Sequence, residues 1–247
     1  MAARVVAAAV RSYSASRSGT AAVRWSSSAA ASRACSECGT VAVVTDHIFC
    51  GSCPAVLEPA PPLTSSTFGV AAEPLFDLFD LGAPRFALNL ALLTERYRSL
   101  QKRLHPDVFS RASDAQIDAA LRQSARINDA YGELQRPYSR ARHLLATRGV
   151  ALDREETLMD NPELLMHVME VREELESARG GGNDAAVEKI GAENRAAMDA
   201  VIDELADLFD STEEEDCDVD AARRVTTRLR YLTTIHNEVY SLVDADA

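Results

Sequence analysis

The sequence predicts a mostly α protein, with a small β ribbon, then a helical hairpin, then a three-helix bundle. Three observations carry that expectation. Apolar residues recur at steps of three and four through five long segments after residue 89, which is the period of an α-helix. Leu104-His105-Pro106-Asp107 interrupts this pattern between the first two segments. Four cysteines fall in two Cys-x2-Cys pairs ahead of all the helices.

Bulk properties bound the function. The chain has 247 residues, 47% of them apolar, enough for one or two compact domains. Its longest apolar runs, such as Val5 to Val10, are far too short to span a bilayer, so no membrane association is expected. Net charge is −12. Residues 1–34 hold five arginines (Arg4, Arg11, Arg17, Arg24, Arg33) and no acid, so the rest carries −17 once those five charges are set aside. Phosphate backbones repel so acidic a body, which argues against nucleic acid. The acid-free leader, rich in Arg, Ser and Ala, has the composition of an organellar transit peptide, with a disordered tail as the alternative. Arginines spread along its length favour the mitochondrial matrix over the plastid, with removal expected between Arg24 and Cys35.

The next segment, residues 35–54, carries Cys35, Cys38, Cys50 and Cys53. Each pair makes a knuckle. The runs Thr40–Val44 and His47–Phe49, joined at Thr45-Asp46, are expected to form the hairpin between knuckles, with Gly39 and Gly51 in the tight turns. Four thiolates at this spacing suit one structural Zn²⁺ in a tetrahedral site. An Fe–S cluster could use the same ligands. Disulfides fit a reducing compartment poorly, and a redox Cys-x2-Cys would need a βα unit that neither pair has. Cys217, alone in an acidic loop, is read as a bystander. Residues 55–73, with Pro59, Pro61 and Pro62, read as a linker.

Residues 74–149 form the hairpin region. Asn89 can cap a helix whose stripe is Leu93, Tyr97, Leu100 and Leu104. Pro106 lacks an N–H and drives His105 out of helical geometry, so a turn must fall there, with His105 and Asp107 at its tip. Asp114 can cap a second helix with the stripe Ile117, Ala120, Ser124, Ile127, Tyr131 and Leu134. The small Ala120 and Ser124 permit close antiparallel packing. Phe76, Phe79 and Leu81 are expected to pack across the pair.

Residues 150–247 offer three stripes: Leu164, Val168, Val171 and Leu175; Val187, Ile190, Met198, Val201, Leu205 and Leu208; and Val225, Leu229, Leu232, Ile235, Val239 and Leu242. Three such stripes close a bundle. Leu165, Met166 and Met169 stay off the first stripe, beside Glu170 and Glu173. They fit a helix boundary and a binding patch equally well.

His105-Pro106-Asp107, framed by Tyr97-Arg98-Ser99-Leu100-Gln101 and by Asn128-Asp129-Ala130-Tyr131, resembles the J domain. With Leu75-Phe76-Asp77-Leu78-Phe79, Pro137-x-x-Arg140-Ala141 and Leu165-Met166-x-x-Met169-Glu170-x-Arg172-Glu173-Glu174-Leu175, residues 75–247 resemble the HscB/Hsc20/Jac1 family of iron–sulfur cluster biogenesis. The tetracysteine ribbon is a feature of some eukaryotic members. The resemblance implies a J-type co-chaperone rather than an enzyme. His105, Pro106 and Asp107, with basic Arg98 and Lys102, would stimulate a mitochondrial Hsp70 of the HscA/mortalin type. Leu165, Met166, Met169, Glu170, Glu173 and Tyr231 would hold an IscU/Isu-type scaffold. Val108 stands where Lys is common, Tyr231 where Phe is usual, and Ser177 in place of an acid. The competing readings are a general J protein delivering unfolded clients and, from another class, a zinc-dependent or thiol-redox enzyme.

Overall fold

A computed structural model of the protein describes residues 33–42, 48–59, 74–110, 112–152, 162–210 and 217–245. The expected leader up to residue 32, the Thr45-Asp46 turn with His47, linker residues 60–73 and the Glu213–Asp216 acids lie outside the described residues. The fold is mainly helical, as expected. Contacts divide it into two compact units. One contains the described residues up to Leu152 together with Leu205–Thr226; the other contains those from 162 to Glu204 and from Thr227 onward.

In the first unit, the ribbon consists of two similar half-loops. β1 (Arg33–Ala34) pairs antiparallel with β2 (Val41–Ala42) around the first knuckle, and Phe49 bridges to Val56 around the second. The Cys35 N–H donates to Thr40 O at 3.1 Å, and the Cys50 N–H to Ala55 O at 2.9 Å. Neither of these pairings was expected; the expected hairpin between the knuckles turns through residues 43–47, which lie outside the described residues. Each Cys-x2-Cys loop reverses the chain so tightly that its own flanks are the nearest partners. Gly39 takes a left-handed φ of 67°, which the turn requires, whereas Gly51 does not.

The hairpin follows. α1 (Leu75–Leu78) buries Phe76, and Phe79 just beyond it is buried too. α2 (Leu90–Arg103) starts at Asn89, whose side chain accepts from the N–H groups of Ala91 and Leu92 at 3.1 Å each. A 3₁₀ turn at Pro106–Phe109 links it to α3 (Asp114–Gln135), whose cap is Ser113 rather than the expected Asp114. α3 stops because Pro137 pushes Arg136 into extended geometry, and the same proline then opens α4 (Pro137–Thr147). α2 and α3 run antiparallel. Thr94 meets Tyr131, Tyr97 meets Asn128, and Gln101 meets Ser124, partners that descend as the first series climbs. The Tyr97 and Tyr131 rings stack with centroids 4.2 Å apart.

At Leu205–Thr226 the same unit gains a further support. Both Asp210 carboxylate oxygens accept backbone N–H groups, from Phe86 and Ala87 at 2.7 Å each, and the Phe209 and Phe86 rings stack at 5.9 Å.

The second unit is built from α5 (Pro162–Gly180) and the described parts of α6 (Asp184–Asp210) and α7 (Val219–Ala245) that belong to it. Gly182 at φ 63° turns the chain after α5, and Asn183 caps α6 by accepting from the Ala186 N–H at 3.1 Å. Val168, Leu175, Val187, Ile190, Ile235 and Val239 bury together as the expected stripes require. Asn194 sits on the buried face of α6, where its amide donates to Leu232 O at 2.9 Å and ties α6 to α7.

Candidate functional site

The loop tip comes first. His105 is extended at φ −60°, ψ 138°, as a residue before proline should be, and its Nδ1 accepts from the Asp107 N–H at 3.3 Å. The His105 Nδ1 also lies 3.5 Å from an Asp107 carboxylate oxygen. The two side chains are 60% and 92% exposed, so both are available to a partner. Beneath them, buried Phe109 and Leu104 fasten the turn to the hairpin. Arg98 and Lys102 are exposed on α2, spaced four residues apart on one face. Val108, directly after Asp107 in the chain, is 63% exposed. A network holds the hairpin that presents this tip: Gln101 donates to Asn128 Oδ1 at 2.7 Å, Tyr97 OH donates to the same atom at 3.0 Å, and Ser124 shares a bond of 2.9 Å with Gln101.

The cysteines form a second centre. All four Sγ atoms of Cys35, Cys38, Cys50 and Cys53 lie within 4.8 Å of one another, with Cys35 to Cys53 at 3.6 Å and Cys38 to Cys50 at 3.8 Å. A tetrahedron with Zn–S bonds of about 2.3 Å has edges of about 3.8 Å, so the set fits one tetrahedral ion. Ionisation within the cluster is uneven. Bonds to the Thr40 hydroxyl and backbone pull the Cys38 thiol down to about 6. The Ala55 backbone favours the Cys53 thiolate, but desolvation and the three neighbouring thiols outweigh it and push that group up to about 12. Four thiolates this close repel one another unless a cation sits among them. The group can therefore bind a metal ion. Cys217 is half-buried and apart from the cluster, and burial raises its thiol.

On α5, Leu165, Met166 and Met169 are 40%, 62% and 55% exposed, and Glu170 and Glu173 are exposed next to them. Tyr231 differs from the other five. It is half-buried and packed against the core cluster of its unit, at the rim rather than within the exposed patch.

Several residues that matter here escaped the sequence reading. Gln116 and Gln123, two turns apart on α3, are buried and bond to the backbone of Val56 and Leu57 in the ribbon. Arg103, in the last turn of α2, lies with its guanidinium 3.5 Å from the centroid of Phe49. The one available signal was a pair of glutamines seven residues apart on a helix face that is otherwise apolar.

The family pattern described as the HSCB C-terminal oligomerisation domain matches residues 160–240. The co-chaperone protein HscB homolog of Burkholderia multivorans is 36% identical over 169 residues, which are 68% of this chain and 93% of the relative. The crystal structure of human co-chaperone protein HscB matches with a TM-score of 0.69 at 27% identity, covering 84% of this chain and 97% of that one. Chaperone HscB from Vibrio cholerae matches with a TM-score of 0.58 at 33% identity, covering 68% and 97%. The human match spans more than residues 74–247 can supply, so it extends into the segment that carries the ribbon.

Proposed function

Because this chain belongs to the HscB/Hsc20/Jac1 family of co-chaperones, we propose that it brings an IscU/Isu-type iron–sulfur scaffold to a mitochondrial Hsp70 and triggers that chaperone's ATP hydrolysis. The observation that carries this reading is the exposed His105-Pro106-Asp107 tip on a hairpin braced by the Gln101 network, beside Arg98 and Lys102. The two basic side chains stand out on a chain of net charge −12 and suit an acidic ATPase surface, where charge sets approach and orientation.

The second half of the reading rests on Leu165, Met166 and Met169. Three adjacent exposed apolar side chains rimmed by Glu170 and Glu173 suit a folded partner with a small apolar face. Joining both surfaces in one chain raises the scaffold's concentration at the chaperone, and ATP hydrolysis then commits the complex. The co-chaperone itself performs no covalent chemistry. Cys35, Cys38, Cys50 and Cys53 would hold one Zn²⁺ as a structural tie. The acid-free, Arg-rich leader supports action in the mitochondrial matrix.

The test is Hsp70 ATP turnover measured with this protein, with and without the scaffold. His105→Gln is expected to abolish the stimulation and leave scaffold binding unchanged. Full stimulation by that variant would overturn the role of the tip. Equal binding of many denatured polypeptides would favour general client delivery instead.

A further inference from the structure

On the reading that the four cysteines hold a metal, we propose that the metal-loaded ribbon braces the loop end of the α2–α3 hairpin through Gln116, Gln123 and Arg103. Gln116 accepts from the Val56 N–H at 2.8 Å and donates to the Val56 carbonyl at 3.3 Å. Gln123 donates to the Leu57 carbonyl at 2.7 Å. The two amides thus do for Val56 and Leu57 what a neighbouring strand would do. Gln123 is 0% exposed and Gln116 6%, so neither amide can turn to water while the ribbon is in place. A buried amide deprived of its partner is costly, and removal of the ribbon must therefore open that face of α3.

The link to the metal is the size of the ribbon. Among the described residues, the cluster around its thiols consists of Cys35, Cys50, Ala55 and Leu57, with Cys53 packed against them, and Ile48, Phe49 and Val56 are the other large apolar side chains the segment buries. So few apolar groups cannot fold a segment of this length without a cross-link, and metal binding in such ribbons is folding energy. Phe49 adjoins Cys50 and lies under Arg103, which is two residues before His105. Contact is therefore continuous from the thiolates to the last turn before the tip. Loss of the metal releases both glutamines and Arg103, and the hairpin end opens more often.

The test uses the full chain, reduced, stripped with a chelator and titrated with Zn²⁺. Native mass spectrometry counts bound zinc while hydrogen exchange reads residues 98–104 and 114–124. Uptake of one Zn²⁺ is expected to slow exchange at α3 by at least about tenfold, the lower end of what three buried hydrogen bonds supply. The chain with both Gln116→Ala and Gln123→Ala is expected to take up one Zn²⁺ without that slowing. If the double variant does not fold, Arg103→Ala, at an exposed position, is expected to cut the zinc effect at 98–104 at least about threefold. Zinc uptake that leaves α3 exchange unchanged, or slowing that survives these substitutions, overturns the brace and leaves the metal site standing. A chain that takes up no zinc overturns the metal reading and the brace with it.

Discussion

His143 shows how one buried side chain sets a pH limit. Its ring is buried on α4 beside Phe76, with centroids 6.2 Å apart, and its Nε2 has no hydrogen-bond partner among the described residues. Burial, with a smaller contribution from the Arg142 charge, pushes its pKa down to about 4 from 6.5. The folded chain therefore keeps it neutral while the unfolded chain takes up a proton below 6.5. Stability is unaffected by this group above 6.5, falls by about 1.4 kcal/mol per unit as the pH drops from there, and levels off near 4. Thermal midpoints of the natural chain and of His143→Phe, compared between pH 7 and pH 4, are expected to diverge in that window. Parallel curves would show that another group controls the acid side. His105, in the same hairpin region, has the opposite character. It is exposed, it caps its own turn, and its value lies in what it offers a partner.

Packing between helices depends on what is absent as much as on what is present. A Cβ added at Gly191 of α6 would sit 2.9 Å from Val239 Cγ1 of α7. Only glycine admits that approach without displacing the valine. Gly191→Ala improves helix propensity by about 1 kcal/mol but overpacks a tight contact at a cost of about 1–3 kcal/mol, so a net loss of about 1 kcal/mol is expected. Val239→Ala opens a small cavity when made alone. Combined with Gly191→Ala, it is expected to recover much of both losses, seen as strong positive coupling in a chemical-denaturation double-mutant cycle. Simple additivity would mean that the helices shift apart freely. The α2–α3 pair uses another device, a hydrogen-bonded seam of Thr94, Tyr97, Gln101, Ser124, Asn128 and Tyr131. That seam fixes register, since sliding either helix by a residue would break every bond in it.

Across the chain, the surfaces divide between the two compact units. The His105–Asp107 tip and the cysteines lie in one; Leu165, Met166 and Met169 lie in the other. Truncating the three apolar side chains to Ala should therefore remove one job and spare the other. Pull-down of the scaffold is expected to fall at least about tenfold, as for a small cluster of buried anchors. Stimulation of Hsp70 in the absence of scaffold is expected to stay unchanged, and the midpoint of unfolding should move little because all three are exposed. Undiminished capture would place the scaffold elsewhere on the protein.

Much of this was legible in the residues. Asn89 as a cap, the break at Pro106, the shared burial of Val168, Leu175, Val187, Ile190, Ile235 and Val239 and the exposure of Leu165, Met166 and Met169 all follow from local rules, because helix period and proline geometry act within a few neighbours. On α6 the expected Leu208 is only half-buried, and Phe209 takes the buried position. Cysteine spacing likewise announced a tetrahedral cluster. The pairings of Arg33–Ala34 with Val41–Ala42 and of Phe49 with Val56 were not legible, since alternation over two or three residues cannot say which flank is nearer. Nor were the roles of Gln116, Gln123 and Asp210, whose partners lie far away along the chain. A polar side chain on a buried face looks like a flaw until folding delivers the backbone that satisfies it. Local chemistry wrote the elements and displayed the tip; long-range hydrogen bonds and ring contacts chose what rests against the hairpin.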